Sequence, residues 1–598
     1  MTPLRVSLLA AFLSASCAPA PVAPSPAPPP SSPPPVAVAP APSQPPADPA
    51  RDLASKIDPI FAPYAKPGVP GCAVGVYRAG ELLFAHGYGL ANLDYGVPIE
   101  KDTVFEAYSV SKQFTAAAIA LLVGDGKVAL DDDVRKYVPE LPVYGKRPIT
   151  LRDLVHHTSG LRDYAFLLDV AGFAQGDYTT DDDVTFLLTH QKALNFPTGT
   201  KESYSNSGYF LLSVVVKRVT GKSLGAFAKE RLFDPLGMKH TFYLEDPSVV
   251  IPRRALGYAP KGDAFGVDMM KSEVVGARGV QTTIEDLALW DANFYDPKVG
   301  GAAFLQTMRT PGKLDDGKAT TYAFGLWMGV KNGVAFEEHS GGGAGFRTEL
   351  ARYPAERLTI ACFCNVGSAE PEALAQSVAE VFLPKLKPSG PASEPPSSGT
   401  APHLYAASLA ELAPILGVYY APATYEMRSI SVKDGAIFLG YGLDPEGPRR
   451  PMVASDARTL LVKPSQPGDS WPIMTRYTFL PAEGAHGARL VRAPHDEKAT
   501  TFERVDPTAL SPSALAAYAG RYGSDEIRID WWLGVTDGHL MAAKWGRPLH
   551  EHPLLPIARD MFVTDSHEFF HFERDARGKV HGFVYGVDSP DGIRWVRR

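Results

Sequence analysis

The sequence is poor in cysteine, in long apolar runs and in clustered positive charge. Its 598 residues include 4 cysteines, too few for a disulfide-stapled scaffold. The net charge is -7 and no long basic run occurs, which argues against nucleic-acid binding. The apolar run at residues 6–13 is too short to span a bilayer. The remaining composition is ordinary for globular domains, and the length predicts about three or four of them.

The first 17 residues have the plan of a signal peptide. Arg5 supplies a positive charge, residues 6–13 are apolar, and small residues precede Cys17. The segment Leu-Ser-Ala-Ser-Cys at residues 13–17 resembles a bacterial lipobox, although its leucine stands one position early. This resemblance implies lipidation of Cys17, attachment to a membrane, and export to the bacterial periplasm or cell envelope. Plain secretion with cleavage nearby is the alternative.

Two proline-rich segments divide the chain. Residues 18–50 are rich in proline, alanine and serine and cannot bury a core, so we expect an extended tether. A second such segment, residues 385–407, is predicted to be a linker. Residues 51–384 between them have the length and the apolar pattern of a folded domain, with strand hairpins at both ends and helices between.

After the linker the chain looks repeated. A Gly-x-Tyr segment recurs at 417–419 and 520–522, and an Asp-Gly turn recurs with the same offset at 434–435 and 537–538. The alternating strand patterns predict two small antiparallel β-barrels, residues 408–508 and 509–598. Neither repeat contains a catalytic or metal-binding pattern. Two hypotheses remain for the repeats: that they bind the ligand, or that a barrel loop limits substrate size.

The pattern with the most chemistry is Ser109-x-x-Lys112, followed by an Ala/Leu-rich stretch that predicts a helix. Residues three apart lie on one helix face, so the serine hydroxyl and the lysine amine can touch. A serine hydroxyl needs a neighbouring base to become a nucleophile. Lysine can be that base when burial keeps it neutral. Alone the pair is a weak signal, and a helix-start serine beside a solvated lysine is the structural alternative.

Two further polar segments lie next to predicted elements. Tyr204 and Asn206 occupy a loop before an apolar helix, where they either face a cleft or cap the helix. His339 follows a predicted strand and begins the run His-Ser-Gly-Gly-Gly, whose glycines let backbone N–H groups approach a ligand. A phosphate loop is disfavoured because no Gly-Lys-Ser/Thr follows.

Two residue pairs could indicate a metal site, but for both of them packing inside the protein is the preferred interpretation. The side chains of His156 and His157 are adjacent and point apart on a helix. Cys362 and Cys364 alternate on a predicted strand with no other ligand close in sequence. We therefore expect buried thiols, no disulfide framework and no metal.

Taken in order, Ser-x-x-Lys, Tyr-x-Asn and His-x-Gly resemble the motifs of the serine β-lactamase and penicillin-binding-protein superfamily, in its class C and DD-peptidase-like branch. The resemblance covers about residues 51–384, and segments 154–161 and 278–287 agree with it. With the two repeats, the chain resembles β-lactamase-related serine hydrolases of the three-domain D-aminopeptidase type. The implied fold is α+β: an antiparallel sheet flanked by helices, followed by two lipocalin-like barrels.

The resemblance also implies an acyl-enzyme mechanism. Ser109 would attack a carbonyl, and Lys112 and Tyr204 would take and relay its proton. Asn206 would hold the lysine and the substrate amide. His339 would occupy the strand position where many relatives have lysine.

The resemblance further implies that the backbone N–H groups of Ser109 and Gly342 form an oxyanion hole, while Ser340 and Gly341 contact substrate. It implies no metal or organic cofactor. Because histidine is only partly charged near neutral pH, His339 disfavours β-lactams, whose carboxylate usually meets a lysine. We expect a small-molecule ester, an amide or a D-amino-acid peptide, including peptides of the cell wall. A catalytically silent peptidoglycan- or peptide-binding protein of the same fold is the alternative.

Overall fold

The computed structural model describes residues 49–174, 176–387, 408–422, 424, 426–440, 449–462, 475–483, 487–493, 499–505, 510–544, 552–564, 568–586 and 592–598. The predicted signal peptide, Cys17 and nearly all of the tether and linker lie outside these residues. The part from Pro49 to Arg598 is one compact unit. Among the described residues, no helix is both long and apolar enough to cross a membrane.

The first domain, residues 49–387, combines one large sheet with helices. Helices α1 to α11 span Pro49–Ile57, Lys112–Gly124, Leu151–Val155, Tyr164–Val170, Asp181–Thr189, Asn206–Thr220, Leu224–Ala228, Asp234–Leu236, Ile284–Asn293, Gly301–Met308 and Pro371–Phe382. Strands β1 to β15 span Cys72–Arg78, Glu81–Tyr88, Leu90–Asn92, Val97–Pro98, Phe105–Glu106, Tyr178–Thr179, Phe242–Tyr243, Tyr258–Lys261, Ala264–Val267, Lys271–Ser272, Val280–Thr282, Trp327–Lys331, Val334–Gly343, Phe346–Tyr353 and Leu358–Cys364.

The main sheet has six strands in the order β12-β13-β14-β15-β1-β2, and neighbouring strands are antiparallel. Strands β1 and β2 form the hairpin that the sequence predicted. β1 then pairs with β15, so the N-terminal and C-terminal parts of the domain meet in the middle of the sheet. The helical region containing α2 and α6 packs on one face of the sheet, and α1 and α11 contribute to a core on the other. The predicted α+β fold is confirmed.

The pairing of β1 with β15 changes one expectation. Cys72 and Cys364 lie directly opposite each other and form a disulfide, while Cys362 is a buried free thiol. The expectation of buried thiols at Cys362 and Cys364 was therefore right for Cys362 and wrong for Cys364, and no disulfide to Cys72 was expected. The reason is tertiary: 292 residues separate the bonded cysteines, and only the strand order brings them together.

The C-terminal region consists of two closed eight-stranded antiparallel barrels, as predicted. In barrel 1, helix α12 spans Leu409–Leu412 and strands β16 to β23 span Gly417–Ala421, Glu426–Lys433, Ala436–Gly440, Arg449–Asp456, Thr459–Val462, Arg476–Leu480, Arg489–Ala493 and Thr500–Val505. In barrel 2, helix α13 spans Pro512–Leu515 and strands β24 to β31 span Gly520–Ser524, Ile529–Thr536, His539–Lys544, His552–Ala558, Met561–Val563, Phe569–Arg574, Val580–Gly586 and Ile593–Arg597.

The two barrels make different contacts. The buried core of barrel 2 is continuous with the core around α2 in the first domain. Barrel 1 has its own core, and its Tyr420 and Met427 pack against Val563 and Phe569 of barrel 2. Barrel 2 is therefore the repeat whose core continues into the domain that carries the predicted catalytic residues.

Candidate active site

The nucleophile candidate lies at the junction of a short 3-10 helix with α2. Ser109 is in the 3-10 helix Tyr108–Ser111, which continues into α2, and residues 112–122 of α2 are all buried. The preceding residue, Tyr108, has φ 45°, a left-handed conformation that is costly for a bulky side chain. The surrounding structure thus holds the Ser109 turn in a strained geometry.

Lys112 points back from the first turn of α2 to this serine. Its Nζ lies 3.1 Å from Ser109 Oγ, 2.8 Å from Asn206 Oδ1 and 2.8 Å from the carbonyl oxygen of Ala277. Burial lowers the pKa of Lys112 to about 7, although the carboxylate of Asp163 acts in the opposite direction. A large fraction of the lysine is then neutral near pH 7 and able to accept the Ser109 proton.

Tyr204 completes the group around the serine oxygen. Its ring centroid lies 4.7 Å from Lys112 Nζ, and its hydroxyl is close enough to Ser109 for the serine to favour the ionised phenol. Tyr204 is 36% exposed, but desolvation of its inner part raises its pKa, and Ser109 counteracts this only in part. The phenol therefore stays protonated near neutral pH and can pass a proton on rather than hold a charge.

His339 lies behind this group and not in the open cleft. The side chain is 2% exposed; Nε2 is 2.7 Å from the hydroxyl of Tyr322 and Nδ1 is 2.6 Å from the carbonyl oxygen of Ser340. Burial, and then the charge of Lys112, lowers the pKa of His339 to about 3. The expectation of a partly charged histidine was therefore wrong, because the sequence does not show that the ring is buried beside another cation.

Several aromatic rings that the sequence analysis did not select support Tyr204. His157 lies against the rings of Tyr204 and Tyr322, with both centroid distances 4.4 Å. Trp327 also stacks near Tyr204 at 6.4 Å. In the sequence only the His-His pair draws attention to His157, and we interpret that pair as packing residues. Its neighbour His156 packs elsewhere and bonds to the carbonyl oxygen of Tyr322 at 2.9 Å.

The glycine run of β13 lets the strand touch the nucleophile turn. A Cβ on Gly341 would lie 2.4 Å from the carbonyl oxygen of Ala107 and 3.0 Å from Ser109 N, and one on Gly343 would lie 2.0 Å from the Tyr108 ring. Any larger residue would push the strand away. Gly341 and Gly343 are thus required by close approach, whereas a Cβ on Gly342 would make only ordinary contacts with Arg347.

Ser109, Asn206 and Gly342 line one cavity of about 330 Å³, which we call the Ser109 cavity. Helix α4 forms one wall through Tyr164, Ala165, Leu168 and Asp169. The remaining lining is mixed, with apolar or aromatic side chains such as Tyr108, Phe173 and Met270 and polar ones such as Asp177, Thr179 and Ser272. Arg278 also lines it and is paired with the buried Glu106.

The smaller predicted roles remain predictions. Ser109 and Gly342 face the same cavity, as oxyanion donors must, but no bound oxyanion tests them. Ser340 pairs with Glu349 across β14, and strand alternation places its side chain on the opposite sheet face from His339. The substrate contacts predicted for Ser340 and Gly341 are likewise untested. Among the described residues, the only group of possible metal ligands consists of Cys72, Cys362 and Cys364, two of which form the disulfide.

Comparison with known proteins gives consistent matches. The family model described as Beta-lactamase matches residues 57–382. A D-aminopeptidase from Brucella ovis is 26% identical over 545 residues, covering 88% of this chain and 96% of the relative. A D-aminopeptidase from Gluconobacter oxydans is 28% identical over 329 residues, covering 54% of this chain and 61% of the relative. Among solved structures, the octameric penicillin-binding protein homologue from Pyrococcus abyssi matches with a TM-score of 0.50 and 19% identity, covering 76% of this chain and 99% of that one.

Proposed function

Because the chain belongs to the Beta-lactamase family and is a serine hydrolase, we propose that it hydrolyses the amide bond that follows an N-terminal D-amino acid. The reaction would pass through an acyl-enzyme on Ser109. Small D-aminoacyl amides and short peptides that begin with a D-residue are the proposed substrates. Peptides of the bacterial cell wall are one source of such D-residues.

One observation carries this proposal: the match to the Brucella ovis D-aminopeptidase spans 88% of this chain and 96% of the relative. A match of 545 residues is longer than the first domain, so it extends into the barrels. The similarity therefore concerns the combination of hydrolase domain and barrels, which is more specific than a catalytic domain shared by many enzymes.

The geometry around Ser109 supports an acylation step. Ser109 Oγ attacks the substrate carbonyl carbon while its proton passes to the neutral amine of Lys112. Tyr204, beside the same serine, can deliver its proton to the leaving nitrogen as the carbon–nitrogen bond breaks and take back the proton held by Lys112, which returns both groups to their starting states. The resulting ester on Ser109 is then hydrolysed by water, which releases the D-amino acid and regenerates the serine.

A substrate panel on the wild-type chain and the Ser109→Ala variant tests the proposal. The panel contains D- and L-alanyl p-nitroanilide, a D-Ala-D-Ala peptide, p-nitrophenyl acetate and nitrocefin. We expect kcat/KM for the D-anilide to exceed that for the L-anilide by at least about tenfold, and Ser109→Ala to lose both. Equal turnover of the two enantiomers would rule out the D-specificity.

Ester hydrolysis is a second candidate, and the state of His339 favours it. A neutral, buried histidine offers no fixed charge for a substrate carboxylate, so a simple acyl ester loses nothing in this site. In the same panel, p-nitrophenyl acetate turnover well above that of every D-aminoacyl amide would select the esterase. Nitrocefin turnover comparable to either would contradict the expectation that β-lactams are poor substrates.

We also propose that the chain is exported and anchored to a membrane through lipidated Cys17. The pattern of residues 1–17 supports this, and so does the disulfide Cys72–Cys364, because such bonds persist in oxidising compartments. Radiolabelled palmitate should be incorporated by the wild-type chain and not by Cys17→Ser, and the variant should leave the membrane fraction. Equal labelling of both would refute the anchor.

A further inference from the structure

A buried ion pair joins barrel 2 to the first domain close to the Ser109 cavity. Arg162 is 3% exposed and Glu526 is 4% exposed, and one guanidinium nitrogen donates to Glu526 Oε2 at 2.7 Å. The same nitrogen donates to Gln191 Oε1 at 2.7 Å, and the other terminal nitrogen donates to the carbonyl oxygen of Gly592 at 3.2 Å. Glu526 also accepts from the backbone N–H of Lys192 at 3.0 Å. Two barrel residues thus fix one arginine of the first domain.

The chain around Arg162 leads directly to the catalytic group. The carbonyl oxygen of Arg162 accepts a hydrogen bond from the hydroxyl of Ser207 at 2.6 Å. The next residue, Asp163, accepts from the backbone N–H of Asn206 at 2.5 Å. The Asn206 side chain in turn accepts from Lys112 Nζ at 2.8 Å. Glu526 is therefore linked to Lys112, the proposed base, through only two short segments: residues 162–163 and residues 206–207.

Asp163 also starts the helix that forms a wall of the cavity. It caps α4 by accepting from the backbone N–H of Ala165 at 2.8 Å. Tyr164 and Leu168 of α4 line the Ser109 cavity. On barrel 2, the ring of Tyr585 lies parallel to that of Phe166 at 6.1 Å between centroids. Helix α4 thus lies between the cavity and the barrel.

From these contacts we infer that Glu526 of barrel 2 is a positioning residue for catalysis, holding Arg162 so that Asp163 keeps Asn206 and helix α4 in place around Ser109. The residue touches neither the substrate nor the reacting atoms. Loss of its carboxylate would let the 162–163 segment shift, and small displacements of a catalytic group are costly in rate. This inference rests on the serine chemistry of Ser109 and not on D-specificity.

The neighbouring Asp525 is a matched control within the same barrel loop. Its carboxylate is 81% exposed and lies 4.0 Å from the amine of Lys192 across the same interface. Asp525→Asn removes one charge from the loop, as Glu526→Gln does, but leaves the Arg162 contacts intact. A difference between the two variants therefore reports the buried bond and not the net charge of the loop.

The test measures the second-order rate with which a fluorophosphonate labels Ser109 in the full chain, which needs no identified substrate. We expect Glu526→Gln to slow labelling by about tenfold and Asp525→Asn by less than about twofold. The double variant Arg162→Met with Glu526→Leu removes both charges without leaving one unpaired. It should fold, as thermal unfolding will show, and still label slowly. Labelling of the double variant at the wild-type rate, or equal rates for Glu526→Gln and Asp525→Asn, would overturn the inference.

The pH dependence of labelling separates positioning from a general loss of stability. The titratable groups around Lys112 are Tyr204, Tyr209, His157, His339 and Asp163. Of these, Asp163 adjoins Arg162 and favours the protonated lysine. If Asp163 moves away, the midpoint of the acidic limb should shift to lower pH in Glu526→Gln and stay unchanged in Asp525→Asn. An unshifted midpoint in Glu526→Gln would contradict the proposed role.

Discussion

Two buried cations, Lys112 and Arg352, differ in their partners. The hydrogen bonds described for Lys112 run to three neutral acceptors: a hydroxyl, an amide oxygen and a backbone carbonyl. Arg352 instead donates to Asp291 at 2.8 Å and to Glu337 at 3.4 Å, and its guanidinium lies 3.7 Å from the centroid of the Phe294 ring.

The difference in partners adds to a difference in chemistry, because a guanidinium has a higher intrinsic pKa than an amine. Burial lowers the pKa of Lys112 to about 7, whereas burial of Arg352 is outweighed by the two carboxylates, which raise its pKa. A buried cation that has carboxylate partners stays charged and links strands to helices. One that has neutral partners can give up its proton near neutral pH, which is what a general base requires.

The largest expected effect comes from removing the unpaired cation. Lys112→Met should lower kcat/KM for the best substrate by about 10²- to 10⁴-fold, because the Ser109 proton loses its acceptor. Its free energy of unfolding should change by less than that of an Arg352 variant, since the hydrogen bonds described for the amine run to neutral acceptors. Steady-state kinetics and urea unfolding check both. A variant that kept more than about a tenth of the activity would show that Lys112 is not the base.

Removing the paired cation should do the opposite. Arg352→Met leaves Asp291 and Glu337 buried with fewer partners, and should lower the free energy of unfolding by about 3–5 kcal/mol. The kcat/KM per folded molecule should change little. Arg218→Met, which breaks a partly exposed pair with Glu140, serves as the control and should cost less than about 1 kcal/mol. If Arg352→Met and Arg218→Met lowered the free energy of unfolding by similar amounts, burial of the ion pair would not be what makes its loss costly.

Giving Lys112 a carboxylate partner should make it resemble Arg352, a buried cation that stays charged. Asn206→Asp places a negative charge at the position of an oxygen now 2.8 Å from Nζ. The pKa of Lys112 should rise above about 7, so the acidic limb of the rate should move to higher pH. Activity at pH 7 should then fall by about tenfold for each pH unit by which the midpoint rises, with partial recovery in more alkaline buffer. An unchanged midpoint would show that the limb does not belong to Lys112.

The smallest effect is expected at His339. In the wild-type chain the rate should rise with pH through about 7 as Lys112 loses its proton. The pKa of His339, about 3, lies too low to contribute near neutrality. His339→Gln keeps polar atoms near Tyr322 and should leave the midpoint unchanged, with kcat/KM falling by less than about tenfold. A shift of the midpoint in this variant would show that the protonation of His339 controls the rate near neutral pH.

The sequence was sufficient wherever a local pattern determines structure. The hairpin of β1 and β2, the buried helix after Ser109 and the strands of the two barrels all follow from apolar periodicity and turn residues. Residues 322–330 are an exception: their sequence predicts one continuous strand, but the strand begins only at Trp327. Residues 322–325 instead turn, and Gly325, at φ 75°, packs directly against α2.

The features that could not be predicted depend on contacts between distant segments. The Cys72–Cys364 bond, the burial of His339 and the approach of Glu526 to Arg162 each require the tertiary fold. Tyr204 and Asn206 could be selected because a family motif marks them. No such motif marks Asp163 or Tyr322, although Asp163 bonds to Asn206 and Tyr322 to His339.

The pairing of β1 with β15 also constrains how the chain is made. Residues 72–78 pair with the neighbouring strand β2 early, but their second sheet partner exists only after residues 358–364 have been synthesised. An emerging polypeptide shorter than this has an unfinished sheet, with one side of β1 open to incorrect association. The hydrolase domain therefore cannot fold step by step from its N-terminus. This delay agrees with the export proposed above, because an exported chain has to stay unfolded while it crosses the membrane.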